Sequence, residues 1–290
     1  MHTFRAACER PFSYMYLMYL PGMMAVRRER KMAPKRFAIA CVTLSFAAPV
    51  MADQGGGNQT VPGFDRPGAG FATSALPLGG FAIEQGLPSW SLDNEGGIRA
   101  SQFMTDSLLR VGLGHGTELQ VGSTPFNWLD QRMGGVSQSS SGRGDTLLGL
   151  KIAPPSSSQV WTWGVLGTVE LPDGERGLRL PQKQYTLGVT VNQQWDDANT
   201  LGYFAQWQRT GNQGTYQFAG DLSHTLSKTW GIYAEAISLH QNGRSGGLMG
   251  AGVTYLPNVR LQWDLSFDRR FVGGGPTWMA SFGVAFYFGP

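Results

Sequence analysis

The sequence predicts an all-β fold, an antiparallel transmembrane β-barrel of the outer-membrane type with about 12 strands. Three observations carry that expectation. The stretch RLQWDLSFD at 260–268 alternates strictly, with Leu261, Trp263, Leu265 and Phe267 on one face and Arg260, Gln262, Asp264, Ser266 and Asp268 on the other. Similar segments recur at about the nine to eleven residues a tilted strand needs to cross a bilayer, longer than the strands of most soluble sheets. The connections between them alternate in length, as the short periplasmic turns and longer external loops of such a barrel do.

The candidate strands cover 80–87, 106–114, 118–126, 144–152, 159–170, 183–195, 200–209, 215–226, 229–239, 247–256, 259–268 and 277–288. Short turns fall at GHGT (114–117), PPSSS (154–158), DDAN (196–199), SKT (227–229) and PN (257–258). Longer loops are expected around 88–105, 127–143, 171–182, 210–214, 240–246 and 269–276. A Greek-key sandwich has no reason to produce that rhythm.

The apolar rows decide which solvent each face meets. They include Tyr185, Leu187, Val189 and Val191, then Leu201, Tyr203, Ala205 and Trp207, then Trp278, Ala280, Phe282, Val284, Phe286 and Phe288. Turned inward in a barrel of this size, they would line a space too wide for side chains to fill. Hydrocarbon is the better partner. Trp161, Trp163, Trp195, Trp207, Trp230 and Trp278 fall near strand ends, where an interfacial girdle belongs. After residue 52 no stretch of twenty apolar residues occurs, which excludes an ordinary transmembrane helix there and leaves a barrel open.

Near the start, KMAPKRFAIACVTLSFAAPVMADQ reads as a secretory signal: Lys31, Lys35 and Arg36, an apolar run over 37–48, and cleavage after Ala52. Met32 or Met24 is the expected start, and the residues before it an upstream extension. The alternative, a short buried helix, does not explain the small-residue cleavage pattern. Residues 1–52 hold 8 of the 23 Lys and Arg but 2 of the 20 acids, leaving 15 basic and 18 acidic residues, a net of −3. The basicity of the full chain is therefore no nucleic-acid footprint. Cys8 and Cys41 depart with the leader, and Cys41 follows Arg36 too closely to be a lipoprotein acylation site. Residues 53–79, rich in Gly and Pro, read as a periplasmic tether or irregular lead-in with poor order up to Pro62, and 80–290 as the barrel.

Several phrases, in this order, resemble the outer-membrane family of meta-pathway phenol-degradation proteins, which are transporter-like. They are RPGAGFATSALPLGGFAIEQG (66–86), DSLLRVGLGHGTELQVG (106–122), GRGDTLLGLKI (142–152), VELPDG (169–174), IYAEAIS (232–238), GAGVTYLPNVRLQWDLSFDRRF (250–271) and FGVAFYF (282–288). The resemblance implies an outer-membrane barrel concerned with uptake of small aromatic or hydrophobic compounds, and it implies no particular substrate. The chain departs from the family in ending with Gly289 and Pro290 after Phe288. Recognition by the barrel-insertion machinery would then rest on Phe286 and Phe288 of the C-terminal strand.

Counting from the lipid-facing rows puts Glu84, Arg110, Glu118, Asp145, Lys151, Glu170, Asp221, Glu235, Arg260 and Asp264 on the lumen side. They could select what passes, or they could be paired simply to pack a narrow barrel. Asp145, in GRGDTLLGL, is the first acid to test, and the RGD it completes is read as coincidence. A lipid-modifying enzyme using Ser and His is the rival class. Only His115, His224 and His240 remain after cleavage, none in a recognisable nucleophile context. No Cys remains and the other donors lack ligand spacing, so neither metal nor cofactor is expected. DDAN is turn chemistry, and NQT at 58–60 matches a glycosylation sequon that a bacterial envelope protein does not use. The expectation is thus a cofactor-free passive channel whose partners are outer-membrane lipids, the insertion machinery and a small-molecule solute. A structural barrel without transport and a soluble periplasmic β protein are the remaining alternatives.

Overall fold

The computed structural model describes residues 63–158 and 160–290. The expected signal, both cysteines, the NQT sequon and the stretch up to Pro62 lie outside the described residues. The strands are Phe81–Glu95 (β1), Ile98–Gly114 (β2), Thr117–Met133 (β3), Val136–Gly142 (β4), Thr146–Ile152 (β5), Trp161–Leu171 (β6), Gln184–Gln194 (β7), Asn199–Thr210 (β8), Gln213–Thr225 (β9), Trp230–Gln241 (β10), Arg244–Asn258 (β11), Leu261–Gly273 (β12) and Trp278–Phe288 (β13). Each pairs antiparallel with its neighbours, and β1 pairs with β13, so the sheet closes on itself. The lower half of β3 pairs with β5 and its upper half with β4. β4 and β5 are therefore one wall strand interrupted at 143–145, and the barrel has twelve staves, as its sequence predicts.

Alternation answers the solvent question. Along β12, Trp263, Leu265 and Phe267 are 37, 52 and 50% exposed, while Gln262, Asp264 and Asp268 are 6, 2 and 6% exposed. The apolar face looks outward. Val284 is the exception in its row: it is buried although its parity is outward, beside the bulky Trp263 with which it pairs. Trp161, Trp195 and Trp230 sit by the short turns, and Trp90, Trp128, Trp207 and Trp278 lie toward the long hairpins, giving one belt at each end.

Four of the expected loops are hairpins instead, 210–214 and 240–246 being reduced to two-residue turns at 211–212 and 242–243. Residues 88–105 continue β1 and β2 through a Gly96–Gly97 turn, both glycines at positive φ. Pro88, which reads as a breaker, falls where the register slips between Gln85 and Ser89, the irregularity that lets a proline stay in a wall strand. Residues 127–143 likewise continue β3 into β4 across Gly134–Gly135. Among the described residues, 172–183 is the longest irregular connection between wall strands. The described lead-in, 63–79, forms no strand and folds back into the barrel, with Phe64 and Leu76 packed on Ala82, Ala285 and Tyr287 near the short-turn end.

Candidate functional site in the lumen

A segment with so many Gly and Pro residues has no sheet partner, so its buried N–H groups need acceptors from elsewhere. The wall supplies carboxylates. The N–H groups of Asp65 and Arg66 donate to the two oxygens of Glu84 at 2.9 and 3.0 Å, that of Ala69 to Glu235 at 2.9 Å and that of Leu76 to Glu118 at 3.0 Å. Residues 63–79 thus form a plug that sweeps around the lumen, held by acids on β1, β3 and β10.

Side-chain charge reinforces the first of these seats. The Arg110 guanidinium, fully buried, donates to both oxygens of Glu118 (2.8 and 3.0 Å) and to Glu84 (2.7 Å), and stands 3.4 Å from Asp65. Lys151 Nζ lies 2.7 Å from Asp65 and 3.1 Å from Glu118. Gln120 donates to Asp65 and Glu118 at 2.7 and 2.8 Å. Three carboxylates share two cations with nearly every lone pair used, which is the condition for a buried ion cluster to hold.

A second seat adjoins the first. Arg66 bonds Asp106 of β2 at 2.6 Å, Asp264 of β12 at 3.2 Å and the Ser281 hydroxyl of β13 at 2.6 Å. Glycine makes this approach possible: a Cβ on Gly283 would run into the Arg66 guanidinium, as one on Gly112 would run into the backbone of Leu76 and Pro77. Phe71 extends the plug further, meeting Phe204 edge-on at 6.0 Å with Lys151 Nζ 5.9 Å from its ring.

At the long-hairpin end, the break at 143–145 receives the 172–183 loop. Asp145 accepts the N–H groups of Gly174 (2.7 Å) and Leu180 (2.6 Å), and the loop's own Leu178 and Leu180 are buried. Arg143 and Thr146 grip Asp173 from the outside. Partial burial works against ionisation of Asp173, but the hydroxyl and N–H of Thr146 and the Arg143 guanidinium outweigh it and hold that carboxyl below the usual range. RGD is here a loop anchor.

Between plug and long hairpins remains a chamber of about 210 Å³. Its floor is 65–69. Its lining interleaves Met104, Ile237, Leu239 and Met279 with Glu235, Asp268, Ser266 and several Gln and Ser side chains.

Of the ten residues predicted to line the lumen, Glu84, Arg110, Glu118 and Lys151 meet in one cluster under the plug. Asp264 belongs to the Arg66 seat. Asp145 and Glu170 sit by the 172–183 loop, Glu170 accepting from Gln184 at 3.0 Å. Asp221 and Glu235 are cross-strand neighbours facing inward. Arg260 is placed otherwise: it occupies the turn between β11 and β12 and is exposed, because the wall ends at Asn258 and resumes at Leu261. The ten omit Asp65, Arg66, Asp106 and Asp268, although the alternation at 260–268 already puts Asp268 on the polar face. Asp106 shares its face with Arg110, and Asp268 with Asp264, so extending the same count would have found them; Asp65 and Arg66 precede the first strand and carry no periodic signal.

The histidines of the rival reading are spread apart. His115 is exposed in the β2–β3 turn, and His224 Nδ1 is 2.8 Å from Asn199 Oδ1. His240 Nδ1 lies 3.0 Å from Ser245 Oγ on the outer surface, and among the described residues no carboxylate or amide engages its other ring nitrogen. No group of potential metal ligands assembles among the described residues.

In overall fold the chain is similar to an outer membrane channel from Pseudomonas putida F1, with a TM-score of 0.60 at 13% identity over 77% of this chain and 99% of that one. It is also similar to the beta domain of a Bordetella autotransporter, with a TM-score of 0.54 at 9% identity over 72% and 99% of the two chains. No curated protein sequence matches it. Residues 64–288, from the plug to the last wall strand, match the sequence family described as "Putative MetA-pathway of phenol degradation", and the chain belongs to that family.

Proposed function

We propose that this protein is an outer-membrane channel for passive uptake of small molecules, aromatic or hydrophobic ones among them. One observation carries the reading: a closed wall with an apolar exterior encloses a polar lumen that a short segment obstructs and does not fill, leaving the chamber on its far side. A purely structural barrel has no use for a chamber bounded by a separately seated plug. Export by the 1–52 signal and recognition of Phe286 and Phe288 by the insertion machinery complete the proposal, with membrane lipid as the solvent of the outer face. The channel works without cofactor or covalent chemistry.

The test is solute flux through purified protein in liposomes, with Arg66→Ala beside the parent chain. Because Arg66 ties the plug to β2, β12 and β13, its loss should free that side of the segment and raise flux of a small bilayer-impermeant solute severalfold. A barrel that inserts with native heat-dependent gel mobility and passes nothing in either form would overturn the proposal in favour of a structural role. Lipid hydrolysis abolished by His224→Ala or His240→Ala would overturn it in favour of the enzyme.

A further inference from the structure

The charges facing the chamber are not balanced. Among the described residues, the buried acids are Glu84, Asp93, Asp106, Glu118, Asp145, Glu170, Glu235, Asp264 and Asp268, against Arg110 and Lys151 as buried bases. Half-buried Arg66 is committed to Asp106 and Asp264, and Arg270, nearer the mouth, to Glu95 at 3.1 Å and Asp93 at 3.7 Å. Asp65, on the chamber floor, is taken by Lys151 and Arg110. What remains is Glu235 and Asp268, with Asp221 paired directly beside Glu235 on β9.

The placement of these three is informative. Glu235 and Asp268 both pair with Gly250, one from β10 and one from β12, so their Cα atoms stand roughly 10 Å apart with no side chain between. Asp268 leans over that glycine, toward Glu235: a Cβ on Gly250 would collide with its carboxylate. Two like charges on either side of such a gap repel unless something positive lies between them. Asp268 is 6% exposed and its Oδ1 has no hydrogen-bond partner. Buried acceptors in that state have unused capacity for a donor.

The neighbouring wall is of the opposite character. Ile237 and Leu239 follow Glu235 on the same inward face of β10, the first about 7 Å along the strand. Leu248, Ala69 and Met279 pack with them. A cavity on the order of 150 Å³ accommodates benzene, so this chamber has room for one ring and a short polar head. We propose that it selects positively charged solutes with an apolar body, single-ring or short-chain ammonium compounds: the cationic head lies between Glu235 and Asp268 and the body along Ile237, Leu239 and Met279. This assignment rests on the channel reading and names the class of solute it favours.

Purified full-length chain in liposomes is supplied with two bilayer-impermeant ring compounds of opposite charge, benzyltrimethylammonium and benzenesulfonate, with erythritol as neutral control. Flux of the cation should exceed that of the anion by about tenfold or more, the scale on which a lumen of one sign enriches its counter-ion. Benzyltrimethylammonium should also saturate at a severalfold lower concentration than tetramethylammonium, which has no ring to bury. The double variant Glu235→Gln/Asp268→Asn should bring the cation-to-anion ratio toward one. Since Glu235 also holds the plug, Asp268→Asn alone, at a residue anchoring nothing, should reproduce part of the loss. Equal fluxes in the parent chain, an unchanged ratio in a folded Asp268→Asn, or equal saturation by the two cations would each overturn the assignment. Erythritol flux without charge preference would sink this inference alone, whereas failure of every solute to pass would sink the channel reading beneath it.

Discussion

Two arcs of the same wall use inward carboxylates in opposite ways. Over β1–β3 and β5, Glu84 and Glu118 are met by Arg110, Lys151 and the plug, and almost every lone pair is used. Over β9–β12, Asp221, Glu235 and Asp268 face the lumen with no basic side chain against them among the described residues. A sequence count that treats all ten as equivalent lumen charges cannot separate these arcs, because parity reports direction only. What separates them is whether the cation comes from the protein itself. The first arc is a fastening; the second is left for something that arrives.

The largest effect that would break this contrast is expected at Arg110. Replacing it with Met strands Glu84, Glu118 and Asp65 with only Lys151 between them, and losing one partner of a buried ion cluster costs about 3–5 kcal/mol. Urea unfolding in detergent, followed by tryptophan fluorescence, should show that loss together with a plug that no longer protects the 63–76 amides from hydrogen exchange. Asp268→Asn should be neutral or mildly stabilising in the same assay, since it removes an unpaired charge. Equal destabilisation by the two substitutions would mean that both arcs are structural.

The strands were legible because hydrocarbon outside and polar lumen inside impose a period of two that a sequence cannot hide. Where the wall rises beyond the apolar belt, that imposition ends. Val136, Ser137, Gln138 and Ser139 of β4 are exposed on successive positions, so both faces meet water and the alternation vanishes although the pairing continues. In the upper parts of β1 and β2 the faces still differ, with Gln102 and Met104 buried and Phe103 exposed, but polar residues fall on both faces and with Pro88 they read as a loop. The plug was illegible for a different reason. Its seat is fixed by N–H groups of an irregular backbone, which any residue but proline provides, and only Asp65 and Arg66 in a Gly- and Pro-rich tract hint that it has a destination. For the site, the acids could be placed inward from sequence, but the pairing around Arg66 depends on residues 40 and 215 positions away, Asp106 and Ser281.

A smaller effect sharpens the contrast at the mouth. Asp145 satisfies two buried N–H groups, and Asp145→Ala leaves both without an acceptor at a cost of about 1–3 kcal/mol each before the loop relaxes. Relaxation should absorb most of it, so the change appears locally: faster hydrogen exchange at Gly174 and Leu180 with little shift in global unfolding. Asp145→Asn, which retains an acceptor oxygen, should fall between. A global loss equal to that of Arg110→Met would show that the loop anchor belongs to the same fastening as the plug.

The smallest effect concerns Asp173, whose carboxyl is held below the ordinary value by Thr146 and Arg143 despite partial burial. A group whose pKa is lowered on folding contributes stability that is complete above its unfolded value, about 3.9 for Asp, and is lost as pH falls through the folded value. The loop grip should therefore be unchanged from neutral pH down to about 4 and weaken only below it. Because Asp173 is nearly half exposed, solvent screens its pairing with Arg143 and the loss is small. Exchange of the Thr146 amide, which donates to Asp173 at 2.8 Å, is the probe, after correction for the intrinsic pH dependence of exchange. Acceleration beginning at pH 6 would instead implicate a carboxyl with a raised pKa. It would shift the anchoring of this loop from the exposed Asp173 grip toward the buried Asp145.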